Sequence, residues 1–263
     1  MVEKENKKMR AIVFDTETIG KSTQTLWNVG YKVCEIDTHN ATAHTLIERD
    51  LVVKPLIENK AFMVNDDFVG LEKYEKVIER IKSGGTIPLD IDCIFEQMMN
   101  DIHRHQVEYG YAYNCSFDTD KFTKTAVANG LVNPLEAIQV LDIWGYAGEF
   151  IINKPDYIEW ARANQIYTDT ERFIKTSVEG VTAFLENNLE FVEDHLALSD
   201  VQWETKILLE CIKRGADITQ VPKRCGFIPS GREWHKTIVL PNGDEIEVDY
   251  TRMRETDSKI IFS

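Results

Sequence analysis

Asp15 and Glu17 stand two residues apart directly after the apolar run RAIVF at residues 10–14. On a strand, residues at that spacing point to one face, so the two carboxylates project together. Side by side they repel unless a cation lies between them. Mg2+ or Mn2+ suits such oxygens and keeps coordination places for water and phosphate. A third carboxylate, Asp118, ends a second segment, Tyr113-Asn114-Cys115-Ser116-Phe117-Asp118, in which an apolar strand leads to a helix start. In the third segment, His195-Leu196-Ala197-Leu198-Ser199-Asp200, an imidazole precedes by five residues an acid in a first helical turn. Each has a plainer reading when taken singly: surface acids in a loop for Asp15 and Glu17, a helix cap for Asp118, and a satisfied, partly buried histidine for His195.

The surrounding pattern supplies elements that can position these groups. Residues 10–14 read as a buried strand with Asp15 at its exit, and residues 27–35 and 45–53 read as two more strands, together a meander. Leu71, Tyr74, Val77, Ile78 and Ile81 have helical spacing and end at Ser83-Gly84-Gly85, and Ile91, Ile94, Phe95, Met98 and Ile102 form a second stripe suited to packing on a sheet. A strand at 110–114 leads into a helix that stops at Gly130, and a further strand spans 138–141. The stretch 145–170 reads as irregular, with a helix after Pro155. A helix follows over 173–185, and a long one begins at Ser199, where Ser199 and Gln202 have capping-box spacing. Near the end, Pro241-Asn242-Gly243-Asp244 between Thr237–Leu240 and Glu245–Tyr250 is a hairpin signal.

The three acidic segments, in this order, resemble those of the DEDDh 3′-to-5′ exonucleases, the DnaQ-like proofreading family of the ribonuclease H-like superfamily. That resemblance covers about residues 10–215. It implies two divalent cations, Mg2+ or Mn2+, held by Asp15, Glu17, Asp118 and Asp200, with His195 as general base and Thr18 at the terminal nucleotide. One cation, bridged by Asp15 and Asp200, would acidify the attacking water, and the second would steady the leaving oxygen. The implied reaction releases nucleoside monophosphates from 3′ ends, single-stranded DNA before RNA, alone or tethered to a polymerase or repair complex. Rival readings are an exoribonuclease of the same family, a catalytically silent nucleic-acid or polymerase-binding module, and a phosphohydrolase with Asp15 as nucleophile.

The formal charge of −14 on 263 residues counts against a broad basic grip on nucleic acid. The objection weakens where bound cations meet the phosphate. Residues 213–263 hold nine Lys and Arg against eight Asp and Glu. Lys223, Arg224, Arg232 and Lys236 there are either a guide for a strand or solvated surface charge. Trp27, Tyr146, Phe150, Tyr157 and Trp160 are candidates for stacking on bases, with core packing the favoured reading of each. Five widely spaced cysteines without a Cys-x-x-Cys pair suggest reduced, mostly buried thiols. No apolar window is long enough for a membrane span, and the polar N-terminus suggests a cytoplasmic protein. The expected architecture is α/β: a polar segment 1–9, an exonuclease domain 10–215 around a mixed sheet of about five strands, and a β-hairpin extension over 216–263.

Overall fold

An uninterrupted apolar run is stable as a strand where both faces are covered, and Ala11, Ile12, Val13 and Phe14 have no exposure at all. The computed structural model describes residues 8–20, 25–168 and 174–222, together with the backbone of three later strands. Strand β1 (Lys8–Ile19) lies inside a six-stranded mixed sheet of order β4-β3-β2-β1-β5-β6. Its neighbour β2 (Thr25–Asp37) is antiparallel to it, as is β3 (Thr42–Val53) to β2. Short β4 (Ile87–Leu89) pairs parallel with β3, β5 (Tyr109–Ala112) pairs parallel with β1, and β6 (Gln139–Asp142) forms the far edge.

The chain is thus α/β, with the meander of its first three strands as expected. Two details differ from expectation. β4 adds a sixth strand, too short to carry a periodic signal. β1 runs on to Ile19, so Asp15 and Glu17 stand within the strand and not beyond its exit.

One face of the sheet carries Ile19, Trp27 and Val52. They pack with Ile57 of α1 (Lys54–Glu58), Met63 of α2 (Lys60–Val64), Tyr74 and Val77 of α3 (Gly70–Lys82), and Leu196. The opposite face carries Ile12, Phe14, Val29, Tyr31, Val33 and Leu51. These meet Ile94, Phe95, Met98 and Ile102 of α4 (Ile91–His105) and Phe122 and Ala126 of α5 (Cys115–Asn129). Within this second layer the Tyr31 hydroxyl donates to Asp101 of α4 at 2.8 Å, and Arg49 and Gln97 donate to the same oxygen at 3.1 and 3.2 Å. A buried carboxylate is tolerable only when it is paired in this way. Burial and the Asp101 charge together raise the Tyr31 pKa and keep its hydroxyl protonated.

Two compact units are distinguishable, Met1–Leu141 with Asp194–Gln202, and Asp142–Glu193 with Trp203–Ser263. The second unit holds α6 (Ile143–Ala147), a π-helical turn over Gly148–Ile152, α7 (Pro155–Ala163) and α8 (Val178–Leu185). Long helix α9 (Ala197–Lys213) is shared between the units in sequence. Tyr157 and Trp160 each pack edge-on with the Phe184 ring in the second unit.

Two helix starts are corrected. The helix expected over 173–185 begins at Val178, capped by the Ser177 side chain, because Ile174 is drawn into a β-bridge with Tyr167; Phe173 itself lies outside the described residues. Helix α9 starts two residues before Ser199, whose N–H already bonds to the Leu196 carbonyl. The C-terminal hairpin signal corresponds to β7 (Glu233–Val239) and β8 (Glu245–Thr251), joined by a third antiparallel strand, β9 (Ser258–Ile261). The turn at 241–244, residues Lys223, Arg224 and Arg232, and the side chain of Lys236 lie outside the described residues.

Among the described residues no helix is long and apolar enough to cross a membrane, and Cys34, Cys93, Cys115 and Cys211 are not in disulfides, with Cys93 exposed. Removing the carboxylate that ties α4 to the sheet tests the packing: Asp101→Ala is expected to cost about 2–4 kcal/mol in urea unfolding. Arg49→Ala, which leaves the Tyr31 bond intact, is expected to cost less.

Candidate active site

Antiparallel pairing sets Asp15 opposite Gly30 and Glu17 opposite Asn28, and directly paired residues share a face. Asp15, Glu17, Asn28 and Gly30 therefore lie together on one side of the sheet. The segment that starts α9 is laid directly onto that patch. A Cβ at Gly30 would stand 2.1 Å from the Leu198 nitrogen and 2.2 Å from the Ala197 carbonyl carbon, closer than any side chain allows. Buried Asn28 completes the attachment: its side-chain oxygen accepts the Ala197 N–H at 3.0 Å, and its amide donates to Asp50 at 2.8 Å and to the Leu51 carbonyl at 3.0 Å. Asp50 is in turn held by Arg80 at 2.8 Å and by the Thr86 hydroxyl.

This attachment brings His195 and Asp200 to β1. The ligand-type atoms of Glu17, His195 and Asp200 all lie within 4.8 Å of one another, with Asp200 buried, Glu17 half-buried and His195 exposed. His195 has φ 50°, in the left-handed region that histidine and asparagine tolerate better than most residues. Asn114 at the start of α5 has φ 61°. From the opposite face of the sheet, α5 delivers Asp118, whose carboxylate accepts both the Thr16 N–H at 3.0 Å and the Thr16 hydroxyl at 2.6 Å.

The five residues singled out in the sequence thus fall into related places. Glu17, His195 and Asp200 converge. Asp118 is joined to Thr16, and Asp15 is the residue before Thr16 on the face that carries Glu17. Thr18 follows the register shift after Glu17, pairs with Leu26 and is half-buried.

Burial pushes the Glu17 carboxyl up to about 6, against the opposing pull of the Lys73 ammonium 3.3 Å away. One ammonium does not compensate the buried charge. The donor set of carboxylates and one imidazole, with Glu17 short of positive charge, suits a hard divalent cation such as Mg2+ or Mn2+. No family model matches the chain, and no curated protein matches it.

Sequence reasoning passed over Asn28, Gly30, Asp50 and Lys73. Gly30 and Asn28 did leave a signal, a glycine and an amide inside the apolar stretch at residues 26–31, which marks a close backbone approach. Among the aromatic candidates, Trp27, Tyr146 and Tyr157 have at most 1% exposure and belong to the core, while Phe150 and Trp160 are partly buried.

Two substitutions test the attachment of α9. Gly30→Ala is expected to destabilise the protein by about 1–3 kcal/mol through overpacking against backbone. Asn28→Ala is expected to cost a similar amount, about 1–3 kcal/mol, through unpaired buried polar groups. Amide exchange at residues 197–200 should quicken in both variants more than exchange in α4.

Proposed function

We propose that the chain is a divalent-cation-dependent 3′-to-5′ exonuclease of ribonuclease H-like fold, acting on the 3′ ends of nucleic acid, with single-stranded DNA as first substrate. The observation that carries this reading is the convergence of Glu17, His195 and Asp200 from two distant chain segments onto one point beside Asp15. Asp15, Glu17, Asp118 and Asp200 would hold the cations. When bound, two Mg2+ or Mn2+ ions would offset phosphate charge and acidify water.

The remaining steps belong to the chain's own groups. His195, exposed beside the Glu17 and Asp200 carboxylates, accepts the proton of the attacking water as general base. The Asp118 carboxylate, oriented by two bonds from Thr16, would complete the acidic set. Thr18 lies one residue beyond Glu17, where a terminal nucleotide would sit against β1. Water attack breaks the bond between phosphorus and the 3′ oxygen of the penultimate nucleotide, and a nucleoside 5′-monophosphate leaves.

Oligonucleotides of DNA and RNA labelled at the 5′ end, incubated with Mg2+, Mn2+ or chelator, provide the test. Stepwise shortening from the 3′ end is expected only with metal. It should fall to background in Asp15→Ala and by about 10²–10⁴-fold in His195→Ala. Preference for RNA would reassign the substrate; no cleavage of either polymer by folded, metal-loaded protein would overturn the proposal in favour of a binding module.

A further inference from the structure

We propose that Lys73 is the phosphate-contacting residue of this site, serving Glu17 as an internal counter-ion until a divalent cation takes that carboxylate. The inference rests on the metal-site reading given above. Lys73 projects from α3 and donates to the Glu17 Oε2 at 3.3 Å. Only 14% of its side chain and 16% of that of Glu17 are exposed.

Long lysine stems ordinarily carry their charge out to water. This one turns inward, its ammonium 6.0 Å from the centre of the Trp27 ring. Trp27 is fully buried and packs in the same cluster as Tyr74 and Val77, so α3 and its lysine are fixed against the strand that faces Glu17. The orientation of Lys73 is therefore part of the packed layer.

Glu17 is also one of the three groups whose ligand atoms converge within 4.8 Å. A divalent cation at that point draws on the carboxylate that Lys73 already holds, and two cations sharing one carboxylate repel. Once displaced, the half-buried ammonium requires another anion. The proposed reaction brings one, the phosphodiester phosphate, and an ammonium with three donors is a well-suited contact for it. Lys73 thereby exchanges a protein carboxylate for a substrate phosphate as the site loads. In a chain of net charge −14, a cation already inside the site has particular value for holding a polyanion.

Calorimetric titration with Mn2+ and steady-state cleavage of a 5′-labelled single-stranded oligonucleotide, on wild type, Lys73→Met, Lys73→Gln and Lys73→Arg, separate this role from a structural one. Removing the competing ammonium in the Met and Gln variants is expected to tighten Mn2+ binding by about tenfold. The same variants should raise KM for the oligonucleotide by about tenfold, with a smaller change in kcat. Lys73→Arg should return both values toward wild type. A merely structural lysine would weaken metal and substrate together. Weaker or unchanged Mn2+ binding in both the Met and Gln variants, or an unchanged KM, overturns the inference. Wild type that takes up no Mn2+ removes the metal-site reading and this inference with it, whereas uptake abolished by Asp200→Ala yet unaltered at Lys73 removes the inference alone.

Discussion

The bond from the Ala197 N–H to the Asn28 side chain fixes where α9 begins. A helix start leaves its first N–H groups without intrahelical partners, and here one of them is satisfied by an amide rooted in the sheet. That amide is itself immobilised. Its two other bonds go to Asp50 and to the Leu51 carbonyl on the next strand, and Asp50 is gripped by Arg80 and Thr86. A chain of polar groups, from partly exposed Arg80 of α3 through buried Asp50 on β3 and buried Asn28 on β2, runs into the segment that bears His195 and Asp200. Such networks are rigid when complete and costly when broken.

Close packing does the rest of the positioning. The backbone at Ala197 and Leu198 lies where a side chain at Gly30 would be, and Leu196 is anchored in the apolar layer beneath α1 to α3. His195, immediately outside that anchor, takes a left-handed conformation, so the chain turns at the residue proposed as base. Groups that must sit within a fraction of an ångström are best held by strands and helices. Glu17 and Asp15 are inside β1, and Asp200 is inside the first turn of α9.

The sheet's first three strands and α3 to α5 were legible because each rests on local pattern, a short apolar run or helical spacing closed by Gly84 or Gly130, and the acidic segments stood out as acids directly following apolar stretches, though Asp15 and Glu17 prove to lie inside β1. Other features were set by contacts distant in sequence. Strand β4 has three residues and exists through its pairing with β3. The start of α9 moved from Ser199 to Ala197 because Asn28, on β2, takes the Ala197 N–H, and Ser199 then lies inside the helix with its own N–H bonded to the Leu196 carbonyl. Lys73 carries no signal in the sequence; only the packing of α3 on Trp27 turns it toward Glu17. Asn28 and Gly30 were visible as irregularities, but their meaning required the segment that lies on them.

An acidic chain is an unpromising partner for a polyanion, and that objection has a physical answer in the site. Bare, the carboxylates of Asp15, Glu17, Asp118 and Asp200 would repel a phosphate, and the raised pKa of Glu17 reflects how poorly that charge is accommodated. Under the proposed reading, the cations that neutralise these groups also turn the local field from repulsive to attractive, so affinity for substrate is created by loading the site. Screening at physiological salt acts over about 8 Å, which confines the influence of acids elsewhere on the surface. Under that reading the loaded site, more than the net charge of the chain, governs whether a nucleic-acid end is held.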